Sequence, residues 1–265
     1  MTIKPYYETE LGKLYHGDCL QIMPELEPVD LVVTSPPYDN LRDYGGCVFD
    51  FKKTACCLRN IVKNGGVIVW IVGDATYNGS ETGTSFRQAL YFKEIGFNIH
   101  DTMIYQKNCY PFPPKNRYYQ QFEYMFIFSR DTPNTSNLLR CESGNKKRKS
   151  TQRNKNGTTE KFISEGHTDR IMDNVWHEDV GYMRTTKDKI AFQHPAIFPE
   201  SLCFKHIKTW SNENDIVLDI MCGSGTTCKI SEKLNRKWIG IEIEEKYCEI
   251  AAKRIEQERK QLKLF

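Results

Sequence analysis

The sequence contains no long apolar run and no apolar leader. Its longest unbroken apolar stretch, residues 67–72, is far shorter than the roughly 20 residues that a membrane-spanning helix needs. Residues 1–10 lack the apolar segment of a secretory signal peptide. We therefore expect a soluble, cytoplasmic protein without a membrane partner.

Paired-cysteine motifs are absent as well. The ten cysteines include the adjacent Cys56 and Cys57, but none forms a Cys-x-x-Cys motif and no histidine stands at zinc-finger spacing to them. This pattern predicts reduced thiols and no metal site.

The net charge is only +3, so the average charge does not indicate a nucleic-acid partner. The basic residues are unevenly distributed, because residues 140–161 carry eight basic and two acidic side chains. Such a segment is typical either of a solvated loop or of a surface that contacts phosphate groups. The composition of the segment by itself favours the solvated loop, and the surface that contacts phosphate groups is favoured only if other motifs indicate a nucleic-acid substrate.

Apolar periodicity predicts one α/β domain. With 265 residues and 39% hydrophobic content, the chain can bury one sizeable core and a small appended lobe. The alternation of strands and helices predicts a mostly parallel sheet, and residues 98–106 and 121–129 predict an antiparallel strand pair at one sheet edge. Strands are also predicted at residues 14–16, 30–34, 66–72, 216–219 and 238–242, and helices at residues 51–63, 84–95, 199–210, 226–234 and 244–260.

A segment in the middle of the chain has a different composition. Between residues 131 and 190, Asn, Thr, Ser, Gly and Lys replace most of the aliphatic side chains. We interpret residues 131–190 as an insert, residues 1–130 as the first half of the main domain, and residues 191–265 as its second half.

The first chemical motif is Ser35-Pro36-Pro37-Tyr38, which follows the apolar residues 31–33. An exocyclic amino nitrogen is a poor nucleophile because its lone pair is delocalised into the ring. The Ser35 hydroxyl and the Pro36 carbonyl can accept its two hydrogens and aim the lone pair, while the prolines keep the acceptors rigid. Tyr38 can stack on a base that has been rotated out of a duplex. An extended turn or a polyproline ligand is the alternative, and the position at the end of a buried strand disfavours both.

The second motif runs from Asp219 to Thr227 and follows the predicted strand at residues 216–219. Glycines at 223 and 225 permit a tight turn, and the helix beginning near Thr226 offers unpaired N–H groups to an anionic end of a ligand. The third glycine of a dinucleotide site is missing, which disfavours a nicotinamide cofactor. The acidic Asp219 favours a cationic ligand.

The two motifs, in this order, resemble the β-group of DNA amino-methyltransferases, in which the catalytic motif precedes the cofactor motif. The resemblance extends over nearly the whole chain. It implies a class I S-adenosylmethionine-dependent methyltransferase fold, Rossmann-like, with a mostly parallel seven-stranded sheet and a small target-recognition insert. Ile220 and Met221 stand where the family usually has Pro and Phe, which puts the packing beside the cofactor in question.

The resemblance also implies a set of residues that bind S-adenosylmethionine. Glu242 lies about twenty residues beyond the glycine turn, where an acid can bind both ribose hydroxyls. Asp18 matches the family's acid for the adenine amino group, although a helix N-cap is an equally good interpretation. His194 belongs to the segment that lines the methionine end of the cofactor, or else to a proline-rich loop. The predicted cofactor residues are Asp18, His194, Asp219, Cys222, Gly223, Gly225, Thr226 and Glu242.

The substrate is expected to be double-stranded DNA. In the family, Ser at the first motif position favours the N4 of cytosine and Asp favours the N6 of adenine, so Ser35 favours cytosine with adenine as the alternative. A cytosine-C5 enzyme is excluded because no cysteine follows Ser35. A catalytically silent DNA-binding protein with the same fold is the alternative from another class. The family also implies a cognate restriction endonuclease as functional partner, and a monomer or homodimer.

Basic side chains provide the predicted DNA contacts. Most lie in the insert, while two lie in residues 107–117, a stretch rich in proline and aromatics that could equally be a structural hairpin. The predicted contacts are Lys115, Arg117, Lys146, Lys147, Arg148, Lys149 and Arg153.

Overall fold

The computed structural model describes residues 3–37, 49–108, 116–142, 148–164 and 168–262. Its contacts divide the chain into two compact units, Met1–Asn137 with Asn174–Phe265, and Leu138–Asp173. No helix in the described ranges is both long enough and apolar enough to cross a membrane.

The first unit contains a large central sheet. Its strands are β1 (Tyr7–Glu8), β2 (Gly12–His16), β3 (Val29–Thr34), β4 (Val62–Val72), β7 (Asn98–Lys107), β8 (Phe122–Ser129), β13 (Val175–Glu178), β14 (Ile216–Asp219) and β15 (Lys237–Glu242), in the spatial order β1-β2-β15-β14-β3-β4-β8-β7-β13. Two short strands, β5 (Thr76–Tyr77) and β6 (Ser80–Glu81), form a separate hairpin after β4. The order places two strands from the end of the chain, β14 and β15, between two from its beginning, as the permuted motif order implies.

The central sheet is mostly parallel, as predicted. Strands β2, β15, β14, β3 and β4 are parallel to one another, whereas β1 is antiparallel to β2, and β8 is antiparallel to both β4 and β7. The carboxyl ends of the parallel strands therefore meet at one edge of the sheet, which is where open α/β sheets bind ligands.

The sheet has nine strands rather than the seven expected. Strands β1 and β13 are the additional ones, and each lies at an outer edge. Because β13 pairs in parallel with β7, the predicted antiparallel pair β7–β8 does not lie at the edge. These short strands escaped prediction because strand signals need several alternating residues, and β13 lies in the segment interpreted as an insert.

Six α-helices are described in the first unit: α1 (Cys19–Ile22), α2 (Phe51–Ile61), α3 (Thr84–Glu94), α4 (Glu200–Trp210), α5 (Thr226–Lys233) and α6 (Glu245–Leu262). Local sequence signals account for the start of α2 and the end of α3. Asp50 caps α2 by accepting a hydrogen bond from the Lys53 backbone N–H at 3.1 Å. Gly96, with φ of +95°, follows α3 and ends it.

The core lies on both faces of the sheet. On one face, Trp70, Phe92 and Phe128 are fully buried, and the rings of Phe92 and Phe128 stack with centroids 4.4 Å apart. On the other face, Trp238 packs with cysteines and alanines of α5 and α6. The sheet is consequently covered by helices on both faces, which is the layer arrangement of doubly wound α/β folds.

The second unit consists of four strands in two antiparallel pairs. Strand β9 (Arg140–Glu142) pairs with β12 (Asp169–Ile171), and β10 (Arg148–Arg153) pairs with β11 (Thr159–Ser164). The unit lies inside the predicted insert at 131–190.

Candidate active site

The glycine turn between β14 and α5 has the conformation expected of a cofactor loop. The first helical hydrogen bond runs from the Lys229 N–H to the Gly225 carbonyl at 2.9 Å, so the N–H groups of the preceding helical residues have no partner within the helix. Such N–H groups can bind a carboxylate or phosphate.

Both glycines of the turn are required for packing. Gly223 and Gly225 have φ of +51° and +75°, a region that residues with a side chain rarely adopt. A Cβ at Gly223 would lie 2.7 Å from His194 Nε2, and one at Gly225 would lie 2.6 Å from the Ala251 Cβ. The sequence predicted that these glycines allow close approach of a ligand. That explanation is incomplete, because Gly225 allows close packing of the turn against α6.

The Asp219 carboxylate connects the two predicted motifs. Its Oδ1 accepts hydrogen bonds from the Thr34 hydroxyl at 2.9 Å and the Met221 N–H at 3.2 Å, and its Oδ2 accepts one from the Thr227 hydroxyl at 2.7 Å. Burial raises the pKa of Asp219 to about 6, although the hydrogen bonds from Thr227 and Thr34 act to lower it. Thr34 immediately precedes Ser35, so this carboxylate holds the end of β3 against the start of α5.

Glu242 faces the same turn from the end of β15. Its Oε2 accepts a hydrogen bond from the Gly223 N–H at 2.8 Å, and its Oε1 accepts one from the Glu244 N–H at 2.9 Å. Burial raises the pKa of this carboxyl, against the lowering by the backbone donors. Each oxygen has further acceptor capacity for a hydroxyl of a ligand.

Asp18 caps α1, because its Oδ1 accepts a hydrogen bond from the Leu20 N–H at 2.9 Å. The interpretation of Asp18 as a helix N-cap is therefore correct. It does not exclude a role in binding the adenine amino group, because Asp18 also lines the main cavity. The Gly17 N–H donates to the Glu242 carbonyl at 2.9 Å, which keeps the ends of β2 and β15 together.

His194 packs directly on the glycine turn. Its ring meets Tyr247 edge to face with centroids 4.3 Å apart, and its Nδ1 lies 2.9 Å from the carbonyl oxygen and 3.1 Å from the nitrogen of Ala196. The ring therefore occupies the space that a side chain at Gly223 would need.

A single cavity of 840 Å³ contains most of the predicted catalytic and cofactor residues. Ser35, directly after β3, is exposed, Pro36 is buried and Pro37 is partly buried. Tyr38 lies outside the described residues. Gly225 is not among the lining residues, since it contacts Ala251 instead. The predicted residues that line the cavity are Asp18, Ser35, Pro36, Pro37, His194, Asp219, Cys222, Gly223, Thr226 and Glu242.

Arg254 on α6 is an important residue that the sequence did not reveal. Its side chain is fully buried, and its Nη1 donates to the Ser224 carbonyl at 2.6 Å and to the Thr226 hydroxyl at 3.0 Å. The same guanidinium forms ion pairs with Asp188 at 2.9 Å and Glu200 at 2.6 Å. An arginine in a charged amphipathic helix normally faces solvent, so no local sequence signal indicates that Arg254 is buried.

A cluster of opposite charges surrounds Arg254. Lys229 Nζ lies 2.8 Å from Asp188 and 2.9 Å from Glu200. Although burial acts to raise it, the pKa of Asp188 is lowered, because Lys229 and Arg254 donate to its carboxylate. The cluster connects the glycine turn to the segment that precedes α4.

The far side of the cavity is lined by Tyr105, Lys107 and Glu123, from β7 and β8. Lys107 Nζ forms an ion pair with Glu123, and it lies 5.4 Å from the centroid of the Tyr105 ring. Sequence analysis did not identify these residues individually, because only the pairing of β7 with β8 brings them together.

The predicted DNA-contacting residues lie in both units. In the first unit, Arg117 forms an ion pair with Glu81 at 3.6 Å and donates to the Gly79 carbonyl, so the β5–β6 hairpin already binds its guanidinium. In the second unit, Lys149 and Arg153 are exposed on β10. Arg148 is the first residue of β10, whereas Lys115, Lys146 and Lys147 lie outside the described residues.

The register of β10 and β11 places three basic side chains on one face. Lys149 and Arg153 are four positions apart on β10, so they lie on the same face, and Lys161 lies opposite Thr151 between them. All three side chains are exposed. The acidic Glu160 lies opposite Gln152 on the other face. The ribbon therefore has one basic face.

Comparisons with known proteins agree with this arrangement. A family model described as DNA methylase, of the N6/N4 methyltransferase type, matches residues 29–253. The orphan methyltransferase M.BamHII of Bacillus amyloliquefaciens is 52% identical to this chain over 246 residues, which cover 90% of each protein.

Solved structures share the fold. The PvuII DNA methyltransferase (cytosine-N4-specific) matches with a TM-score of 0.73 and 23% identity, over 95% of this chain and 88% of that one. The M1.HpyAVI–SAM complex matches with a TM-score of 0.59 and 23% identity, over 92% of this chain and 98% of that one. The predicted class I methyltransferase fold is confirmed.

Proposed function

We propose, from the premise that this chain belongs to the N6/N4 family of DNA methylases, that it methylates the exocyclic N4 of cytosine in duplex DNA. The chain is a DNA methyltransferase, and family membership confirms the predicted cofactor, S-adenosylmethionine. The observation that supports methyl transfer to an amino group is the single cavity shared by Ser35, Pro36 and the glycine turn.

The residues of the cavity fit the cofactor. In the proposal, Glu242 accepts hydrogen bonds from the ribose hydroxyls, and Asp18 accepts one from the adenine amino group. The N–H groups at the start of α5 bind the carboxylate of the methionine moiety. Acidic side chains at Asp18, Asp219 and Glu242 give the cavity a negative potential that suits a sulfonium cation.

Ser35 and Pro36 orient the substrate in this proposal. When bound, S-adenosylmethionine supplies an electrophilic methyl group on its sulfonium. The Ser35 hydroxyl and the Pro36 carbonyl accept the two amino hydrogens of the target base, so that the nitrogen lone pair points at the methyl carbon. Thr34, whose hydroxyl bonds to Asp219, keeps this pair of acceptors aligned with the cofactor loop. Tyr38 stacks on the base, which must leave the duplex to reach the cavity.

The base assignment rests on Ser35. In the resemblance described above, serine at this position is associated with N4-cytosine enzymes and aspartate with N6-adenine enzymes. Methylation of adenine N6 stays the alternative, since the family includes both activities. A catalytically silent DNA-binding protein would not need the seven predicted cofactor residues that line the cavity.

The basic face of the β10–β11 ribbon is proposed to contact DNA. A two-stranded ribbon fits the major groove of B-form DNA, and Lys149, Arg153 and Lys161 can bind phosphate oxygens. Residues 131–190 keep their predicted role in target recognition, with residues 1–130 and 191–265 as the two halves of the catalytic domain.

The remaining predictions concern partners and location. The 52% identical relative is named an orphan methyltransferase. This favours an enzyme that acts alone over the expected partnership with a restriction endonuclease. The cytoplasmic location and the state as a monomer or homodimer stay predictions.

The experiment that tests the proposal identifies the methylated base. Plasmid DNA is incubated with the protein and S-adenosylmethionine, digested to nucleosides and analysed by mass spectrometry, and the modified positions are then mapped by sequencing. We expect N4-methylcytosine within a fixed sequence, whereas N6-methyladenine would refute the proposed base and an unmodified digest would refute the enzyme.

Substitution of Ser35 tests the assigned mechanism. Ser35→Ala should reduce the methylation rate by at least about 100-fold, because it removes one of two acceptors, while the dissociation constant for S-adenosylmethionine changes little. Ser136→Ala is the control, since Ser136 is exposed and does not line the cavity. Loss of cofactor binding in parallel with activity would contradict the assigned role.

A further inference from the structure

Strands β7 and β8 extend beyond the point where the catalytic motif leaves β3. Thr34, the last residue of β3, is level with Trp70 on β4, with Phe126 on β8 and with Thr102 on β7. Strand β7 continues for five more residues to Lys107. At about 3.3 Å per residue, the β7–β8 pair projects roughly 16 Å past this level.

The projecting strands present three polar side chains to the cavity. Tyr105 lies directly opposite Glu123, and Lys107 lies two residues further along β7, so all three share one face of the sheet. All three line the cavity that also contains Ser35 and Pro36. They therefore form a wall of this cavity, and Glu123 lies two strand spacings, or roughly 10 Å, from the line of β3.

The Lys107–Glu123 pair is partly removed from solvent. The side chain of Lys107 is 29% exposed and that of Glu123 is 16% exposed. A partly buried ion pair is costly to maintain unless its remaining donors and acceptors find partners. An ammonium group has three donors, and the ion pair with Glu123 uses one of them. The ammonium therefore retains capacity to donate to a group inside the cavity.

Cytosine and adenine differ at the end of the base opposite the amino group. With its amino group at Ser35 and Pro36, cytosine presents the N3 and O2 acceptors along the rest of its Watson–Crick edge. Adenine presents N1 and then an apolar C2–H at the place of O2. A hydrogen-bond donor at that place distinguishes the two bases, because adenine would leave it unpaired.

We propose that Lys107, held by Glu123, donates a hydrogen bond to the O2 of the extruded cytosine and so selects cytosine over adenine. The proposal rests on the function proposed above and identifies the residue that reads the base. The Tyr105 ring packs beside Lys107, with its centroid 5.4 Å from the ammonium nitrogen, and stabilises the cation.

The test uses a duplex in which the target cytosine is replaced by a 2-aminopyridine C-nucleoside. This analogue retains the amino group and the ring nitrogen but has hydrogen in place of O2. The duplex carries the sequence mapped on plasmid DNA, and kcat/KM for methyl transfer is measured for each enzyme. The wild-type enzyme should lose about 10- to 100-fold on the analogue, the usual effect of deleting one partner of a charged hydrogen bond.

Two variants complete the test. The double variant Lys107→Met with Glu123→Gln, which leaves no unpaired charge, should lose a similar factor on cytosine and nothing further on the analogue. The single variant Glu123→Gln retains the lysine and should still discriminate against the analogue, which keeps the test informative if the double variant folds poorly. Lys93→Met on the exposed end of α3 is the control and should behave as wild type.

The outcomes separate this inference from the proposed function. If the wild-type enzyme and the double variant lose the same factor on the analogue, Lys107 does not read O2 and the inference is wrong, although N4-methylcytosine is still the product. If the product is N6-methyladenine, the proposed function fails first. Binding of S-adenosylmethionine, measured by calorimetry, should be the same in all of the variants, because none of the substituted residues belongs to the cofactor loop.

Discussion

Arg254, buried within α6, donates a 2.6 Å hydrogen bond to the carbonyl oxygen of Ser224 in the glycine turn. The same guanidinium binds the Thr226 hydroxyl and the carboxylates of Asp188 and Glu200. One side chain of the last helix thus fixes the loop that is proposed to bind the methyl donor.

The first prediction is that Arg254→Met weakens cofactor binding more than a loss of stability alone would do. The substitution leaves Asp188 and Glu200 with one cationic partner fewer, and it should lower the free energy of unfolding by about 3–5 kcal/mol. Because the turn loses its anchor, the dissociation constant for S-adenosylmethionine should rise at least about tenfold. Isothermal titration calorimetry and urea denaturation measure the two effects separately.

Arg236→Met provides the matched control for that prediction. Arg236 is also buried, but it donates to the carbonyl oxygens of Ser211 and Leu234, away from the turn. Its variant should lose stability while the dissociation constant changes little, and Arg254→Lys should recover part of the binding. A dissociation constant for Arg254→Met equal to that of the control would assign Arg254 a purely structural role.

The second prediction concerns Asp219, whose pKa burial raises from 3.8 to about 6. Between these two pH values the folded protein holds a proton that the unfolded chain has released, so stability falls as the pH rises through this range. The contribution is on the order of 3 kcal/mol, from about 1.4 kcal/mol per pKa unit. The raised pKa of Glu242 acts in the same direction.

Asp219→Asn should therefore flatten the decline in stability between pH 4 and pH 6. Urea denaturation at several pH values gives the slope for each protein. The control is Asp173→Asn, because Asp173 is exposed and Arg170 lowers the pKa of its carboxyl. If wild type and the Asp219 variant show the same slope, Asp219 is ionised in the folded protein throughout this range.

The third prediction is that Gly225→Ala destabilises the protein strongly. The new methyl group would lie 2.6 Å from the Ala251 Cβ, and the residue would keep φ near +75°. Overpacking costs about 1–3 kcal/mol and the left-handed conformation adds about 1–2 kcal/mol. The thermal midpoint of unfolding should fall accordingly, and it should partly recover when Ala251→Gly is added.

Gly157→Ala separates the two contributions. Gly157 has φ of +85° with no atom within 4 Å of the position of its Cβ, so only the backbone cost applies. Its variant should lose markedly less stability than Gly225→Ala. Equal losses would mean that α5 and α6 adjust freely at this contact.

The fourth prediction tests the basic face of the β10–β11 ribbon. Lys149→Ala, Arg153→Ala and Lys161→Ala should each weaken DNA binding at low salt, and each should reduce the slope of log affinity against log salt by about 1 if the side chain contacts a phosphate. Fluorescence anisotropy with a labelled duplex at several salt concentrations measures both quantities.

Lys237→Ala is the control for the ribbon, because Lys237 is an exposed lysine at the amino-terminal end of β15, opposite the cavity. Its affinity and salt slope should match those of the wild type. Unchanged slopes for all three ribbon variants would contradict the proposed interface.

Local patterns in the sequence correctly predicted most of the main elements and the strands that precede the two motifs. Strand β14 was predicted and found at residues 216–219, and α3 and α4 differ from their predicted bounds by one residue at one end. These signals depend on side-chain periodicity and on capping and turn residues, which act over a few positions along the chain. The motifs were recognisable because each follows a buried strand.

Other features depend on contacts between residues far apart in the sequence. Strand β13 has four residues, and its pairing with β7 rather than its sequence makes it part of the sheet. The partner of Gly225 is Ala251, and the partner of Lys107 is Glu123, across two strands. The periodicity of apolar residues does not predict such pairs, because the contacts between distant residues depend on how the helices and strands pack.

The sequence alone was sufficient for the fold class, the methyl donor and the positions of Ser35 and the glycine turn, because these are encoded in short contiguous runs of residues. Packing alone revealed that Asp219 joins the two motifs, that Arg254 supports the turn and that Lys107 and Ser35 line one cavity. The physical reason is that hydrogen bonds and ion pairs act over a few ångströms in space, whatever the number of residues between the partners.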